Sequence, residues 1–238
     1  LISDFSSAQR EKRMNTDDLQ ITIHFQINRI QLSGDLVLPK NSKLMVILIL
    51  DEKDEKFGQR FSLLNLKLNC AGIATLFLQD LLTSNEREIH ANRSDDALLA
   101  DRLVEVTKYL INREDTRDHK FAYLALSSSA ERLFRAGFIL SHDVDSIVLI
   151  GNGLPHSKLS LSAVPILNII GGLDFYGIES NRSVLSKIQS PIKGIHYIPG
   201  SPSHFEDRGK WSQVTDVVLR WFESPNSRKI EFPELELL

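Results

Sequence analysis

Leu44-Met-Val-Ile-Leu-Ile-Leu50 is seven apolar residues in a row. An unbroken run of this length, rich in β-branched and aliphatic side chains, suits a strand covered on both faces, which is the situation of a parallel sheet. Further apolar runs follow at Ile73–Leu78, Phe121–Leu126, Ser146–Ile150, Ile166–Ile170 and Gly194–Ile198. Between them lie stretches with helical spacing. Phe61–Asn69 is one. Another runs from an expected Ser94 N-cap to about Asn112, with Leu99, Leu103, Val106 and Leu110 on one face. A third follows Leu126 to about Leu140, a fourth runs from Ser180 to Ile188, and the last spans Trp211–Phe222. Strands alternating with helices predict an α/β domain with a mostly parallel sheet and helices on both faces.

The first two strands are of another kind. Ile21–Ile27 and Ile30–Leu38 alternate apolar and polar residues, as half-buried antiparallel neighbours do, and Pro39-Lys-Asn-Ser closes the pair. The domain is expected over 19–223. A flexible extension (1–18) precedes it, and a tail (224–238) ends in EFPELELL. Met14 opens a natural-looking start, so 1–13 reads as an upstream extension. The acid and Leu alternation of the tail makes it the expected docking strip for a protein partner or for a second copy of the chain.

Composition excludes several functions. The net charge of -3 gives no basic footprint for nucleic acid and no polybasic membrane patch. No apolar run is long enough to cross a bilayer. Cys70 is the single cysteine, which rules out an intrachain disulfide and fits a cytoplasmic setting. No metal site is expected, because no His/Asp/Glu spacing resembles a zinc motif. No cofactor is expected either: Gly151-Asn-Gly153 lacks the remainder of a phosphate loop and reads as a turn.

Chemistry concentrates where strands end. In Ala125-Leu-Ser-Ser-Ser129 an apolar strand runs into serine and then into a helix, the placement of a nucleophile elbow. Small residues are needed two positions before and after the nucleophile. Only Ser127 has them, in Ala125 and Ser129. Asp174 follows the strand ending in Gly171-Gly172, and His204 lies in the loop after the last strand. Parallel sheets collect functional groups at the carboxyl ends of their strands, and the order Ser, Asp, His is that of a hydrolase triad. In that reading Ser127 attacks an acyl group, His204 takes its proton, Asp174 orients the imidazole, and the Ser128 N–H is one oxyanion donor.

With these residues quoted, the chain resembles the small, lidless α/β-hydrolases of the dienelactone hydrolase-like family over about Ile30–Phe222. The matching pieces are Leu32–Pro39, Gly72-Ile-Ala-Thr-Leu, Asp80-Leu-Leu-Thr83, the Ser127 turn, Gly171-Gly-Leu-Asp174, Ser180-Asn-Arg-Ser183 and Pro199–Glu206. The resemblance implies the α/β-hydrolase fold without a cap domain, and a triad of Ser127, Asp174 and His204. It also implies a second oxyanion N–H from the loop after Leu50, where Asp51 stands.

Two departures matter. The elbow lacks both glycines, and the loop reads Asp51-Glu-Lys-Asp-Glu-Lys56. Carboxylates beside a forming oxyanion oppose it. Two functions follow. One is a serine hydrolase acting on a small ester, lactone or thioester. The other is a catalytically impaired module of the same fold that binds a partner or serves as a scaffold.

Overall fold

A computed structural model describes residues 19–27, 29–50, 55–78, 80–154, 164–190 and 192–224. The strands are β1 (Leu19–Ile27), β2 (Ile30–Leu38), β3 (Leu44–Ile49), β4 (Ala74–Leu78), β5 (Lys120–Leu126), β6 (Val144–Ile150), β7 (Ile166–Gly171) and β8 (Lys193–Ile198). The helices are α1 (Glu55–Cys70), α2 (Ser84–Glu88), α3 (His90–Arg93), α4 (Asp96–Asn112), α5 (Ala130–Ile139), α6 (Phe175–Lys187) and α7 (Lys210–Glu223). The strands form one eight-stranded sheet in the order β1-β2-β4-β3-β5-β6-β7-β8. β1 pairs antiparallel with β2, and β2 antiparallel with β4; every other neighbour is parallel.

The uninterrupted apolar runs are explained by the two cores. Met45, Ile47 and Ile49 of β3 point into one core, with Leu99, Leu103 and Leu110 of α4, Leu133 and Phe134 of α5, and Leu185 of α6. Val46 and Leu48 point into the other, with Phe57, Phe61 and Leu64 of α1 and Val214 and Trp221 of α7. Side chains alternate across a strand, so a sheet covered on both faces leaves no position for a polar residue without a partner. The alternation in β1 has the matching cause. Ile23, Phe25 and Ile27 are buried on the α4 side, while Gln20, Thr22, His24 and Gln26 are exposed.

Two expected helix starts move. Asp95, not Ser94, caps α4, accepting from Leu98 N at 3.0 Å. α6 begins five residues before Ser180, and Asp174 is its cap. In both cases a carboxylate upstream of the apolar periodicity takes the orphan amides. α2 and α3 have no buried residues, so no apolar stripe announces them. The expected N-terminal extension (1–18), the Asp51 oxyanion donor and the tail from 225 lie outside the described residues. No helix among those described is long and apolar enough to cross a membrane.

At the amino ends of the strands, half-buried His119 ties the β2–β3 turn to the loop before β5. Its Nε2 lies 2.9 Å from Ser42 Oγ, and its Nδ1 lies 3.1 Å from the Thr116 carbonyl oxygen. A carbonyl only accepts, so Nδ1 carries the proton and Nε2 accepts from the Ser42 hydroxyl. Burial first, and then the charge of Lys43, lower the pKa of His119. Burial and Arg220 lower that of His196 in the same direction. An unfolded histidine takes its proton near pH ~6.5, while these folded ones resist it. Their stabilising contribution is therefore complete above that pH and lost as pH falls through it towards the lower folded values. His119→Gln should flatten the fall in urea midpoint between about pH 7 and 5; an unchanged slope would show that His119 does not contribute.

Candidate functional site

The three triad candidates all reach the carboxyl edge of the sheet, at the ends of β5, β7 and β8. β5 runs into a single 3-10 turn, Ser127–Ser129, which leads into α5. No residue of this turn has a positive φ; among the described residues the non-glycine ones that do are Asn41 and Phe205. The sharp, strained elbow expected from the sequence is thus replaced by a relaxed helical turn, which needs neither of the missing glycines.

Ser127 is 1% exposed. Its Oγ donates to the Gly151 carbonyl oxygen at 2.5 Å and also lies 3.1 Å from Asn168 Oδ1. One hydroxyl proton cannot serve both acceptors well, and Gly151 O is the nearer. Asn168 Nδ2 has no partner among the described residues. With the amide turned over, Nδ2 would donate to Ser127 Oγ, and Oδ1 would take the position that has no partner. The network joins the ends of β5 and β6 to the middle of β7. Neither Gly151 nor Asn168 was singled out from the sequence as a partner of the serine. Their relation to it crosses the sheet, and the only local signal was one asparagine inside the apolar run of β7.

Asp174 is also engaged. One carboxylate oxygen accepts from Gly177 N at 2.8 Å, capping α6, and the other takes the Asn152 side-chain amide. His204 is exposed, and its ring makes an edge contact with Phe57 of α1 at 6.1 Å between centroids. Its backbone carbonyl accepts from Arg60 at 2.7 Å, and the Arg60 guanidinium lies over both Phe57 and Trp211 at 5.6 Å. Phe205, at φ 53, is fully buried in the same core. Ser127 thus bonds on the α5 side of the sheet, while the ring contact of His204 is on the α1 side. No hydrogen bond joins any two of Ser127, Asp174 and His204. Asp51, the expected second oxyanion donor, lies outside the described residues. Ser128 follows Ser127 in the 3-10 turn and lines a cavity beside it. No group of three or more His, Cys, Asp or Glu is placed to hold a metal ion among the described residues.

The β8–α7 loop is seated on the end of β7. Gly172 N donates to Ile198 O and Leu173 N to Ser201 O, both at 2.9 Å. A Cβ on Gly171 would run into the Pro202 carbonyl and come within 2.6 Å of Ser201 O.

Many solved structures share this fold. A dienelactone hydrolase from Anabaena variabilis superposes with a TM-score of 0.77 at 29% identity, covering 87% of this chain and 97% of that one. The chain has the dienelactone hydrolase-like α/β-hydrolase fold. An α/β serine hydrolase homologue from Coxiella burnetii aligns with a TM-score of 0.62 at 15% identity, over 87% of this chain and 97% of that one. The fold is therefore one that hydrolases and esterases use, and it supports a hydrolase. No family model matches the sequence. Two Mycobacterium tuberculosis proteins, provisionally described as phosphoribosyl transferases, are 29% identical over 195 residues, which is 81% of this chain. The chain spans 44% of their length.

Two substitutions probe this geometry. Ser127→Ala should destabilise by about 1–3 kcal/mol in chemical denaturation, because Gly151 O and Asn168 lose their shared partner; a hydroxyl held ready only for catalysis would leave stability unchanged. Gly171→Ala should cost about 1–3 kcal/mol by overpacking against a backbone that cannot rotate away, measured by the shift in urea midpoint at constant m-value.

Proposed function

We propose that this chain is a catalytically impaired dienelactone hydrolase-like module that binds a ligand or partner at the carboxyl edge of its sheet. The single observation carrying this reading is the hydrogen bond from Ser127 to Gly151 O. A nucleophilic hydroxyl must give its proton to a base. Here the proton goes to a carbonyl that cannot accept it fully, on a side chain with almost no exposure. The two other candidates hold structural positions, one capping α6 and one resting on Phe57. The absence of backbone strain at the turn supports the same reading, since strain there belongs to a working elbow.

A second reading has one favourable observation. Ser127, Asp174 and His204 come in hydrolase order and end three strands at one edge of a fold that hydrolases use. As a serine hydrolase of a small ester, lactone or thioester, the chain would need Ser127 to leave Gly151 O. It would also need the His204 ring to leave the α1 side. Phosphoribosyl transfer forms no part of either reading, since the matching relatives are more than twice as long as the segment they share with this chain.

Labelling with a fluorophosphonate probe separates the two readings. The impaired module predicts no labelling of well-folded wild-type protein at Ser127. Labelling of the wild type that disappears in both Ser127→Ala and His204→Ala would overturn it and establish the hydrolase.

A further inference from the structure

Beside the Ser127 turn lies a cavity of about 340 Å³, lined by Asp80, Leu82, Arg87, Arg93, Leu99, Ser128, Ser129 and Arg132. Its volume falls in the range of small-molecule sites. It opens between the loop after β4 and the turn after β5, where an open α/β sheet takes its ligands. A neighbouring cavity shares Asp80, Arg87 and Arg93 with it, so one cleft runs on from the other.

Charge is distributed unequally on this wall. Arg87, Arg93 and Arg132 line it with Asp80, and the continuation of the cleft adds Glu88. Arg87 is held by Asp80, and Arg132, only 7% exposed, donates from Nε to Asp96 at 3.0 Å. Those carboxylates fix two of the head groups in place. Arg93 makes no ion pair among the described residues, so of the three its head group is the one not held by a carboxylate. The helix that carries Arg87 is itself braced. Thr83 and Glu86 close a capping box on α2, and Glu86 also takes Arg102 at 2.7 Å. The ten-residue helix α5 begins at Ala130, next to Ser128 and Ser129, and adds the partial positive charge of its first turn.

We propose that this cleft binds the phosphate group of a small molecule, either inorganic phosphate or a phosphate monoester. Three guanidinium groups arriving on α2, α3 and α5 suit a tetrahedral dianion with oxygens pointing several ways. A single planar carboxylate would use one or two of them. The start of α5 supplies neutral amide donors of the kind that phosphate groups take. The inference extends the binding reading above by naming a ligand class. It does not depend on what Ser127 does, because Ser127 is not among the lining residues.

The test is calorimetric titration of the full chain with inorganic phosphate, glycerol phosphate and acetate at constant ionic strength. Wild type, Arg93→Gln and Arg135→Gln would be compared. Arg135 is exposed on α5 and does not line the cleft. Saturable binding of a phosphate compound should weaken about tenfold or more in Arg93→Gln, the worth of one charge-assisted contact. It should be unchanged in Arg135→Gln. Glycerol phosphate binding well above inorganic phosphate identifies a monoester site, and equal binding identifies a site for the free anion; either supports the proposal. No saturable phosphate binding, acetate binding as tightly, or wild-type affinity in Arg93→Gln would overturn it. A fluorophosphonate result of either kind leaves these outcomes unaffected, so this inference and the reading of Ser127 can fail separately.

Discussion

The structure depends on burying a parallel ladder on both faces at once. β3 and β5 have no face towards water, and their alternate side chains feed two separate cores. That constraint decides where polar groups can live. Inside the ladder each needs a partner from another strand or helix. Tyr123 shares its hydroxyl with Thr107 of α4, and Asn168 lies against Ser127. At the carboxyl edge the strands end and the amides of the following helices need acceptors. Asp174 answers that need for α6.

The same division into two cores gives Ser127 and the His204 ring different neighbours. β5 alternates Phe121, Tyr123 and Ala125 into the core under α4 and α5, which sets Ser127 on that side. The loop after β8 sends Phe205 into the opposite core, beside Phe57, Phe61 and Trp211, and the His204 ring rests on Phe57 there.

Much of this fold was legible in the sequence, for a physical reason. Burial on both faces demands unbroken apolar runs, and burial on one face demands alternation; both patterns are local. Leu44–Leu50 and Ile21–Ile27 announce their places without help from the rest of the chain. The Ser127 turn was legible as a strand-to-helix junction, but not the partner of its hydroxyl. Gly151 lies 24 residues on and Asn168 a further 17, so the choice between nucleophile and structural serine is made by strands that sequence order does not show to be adjacent. Asp174 was legible as a residue at a strand end. Its capping role was hidden because Ser180 offered a more familiar helix start. His204 failed to announce its direction for another reason: the conformation of Phe205, the residue after it, carries the loop into the α1 core.

The clamp on the β8–α7 loop sets the terms for anyone who would redirect the His204 ring. Gly171 leaves no gap beneath the loop, Arg60 grips it through the backbone of His204, and Lys210 reaches back to Pro199 O at 2.5 Å. Changing the chemistry of the imidazole would not lift it off Phe57. The productive change is one of threading: shorten, lengthen or transplant the segment between Ile198 and Lys210, and let a new loop choose which core its aromatic residue enters.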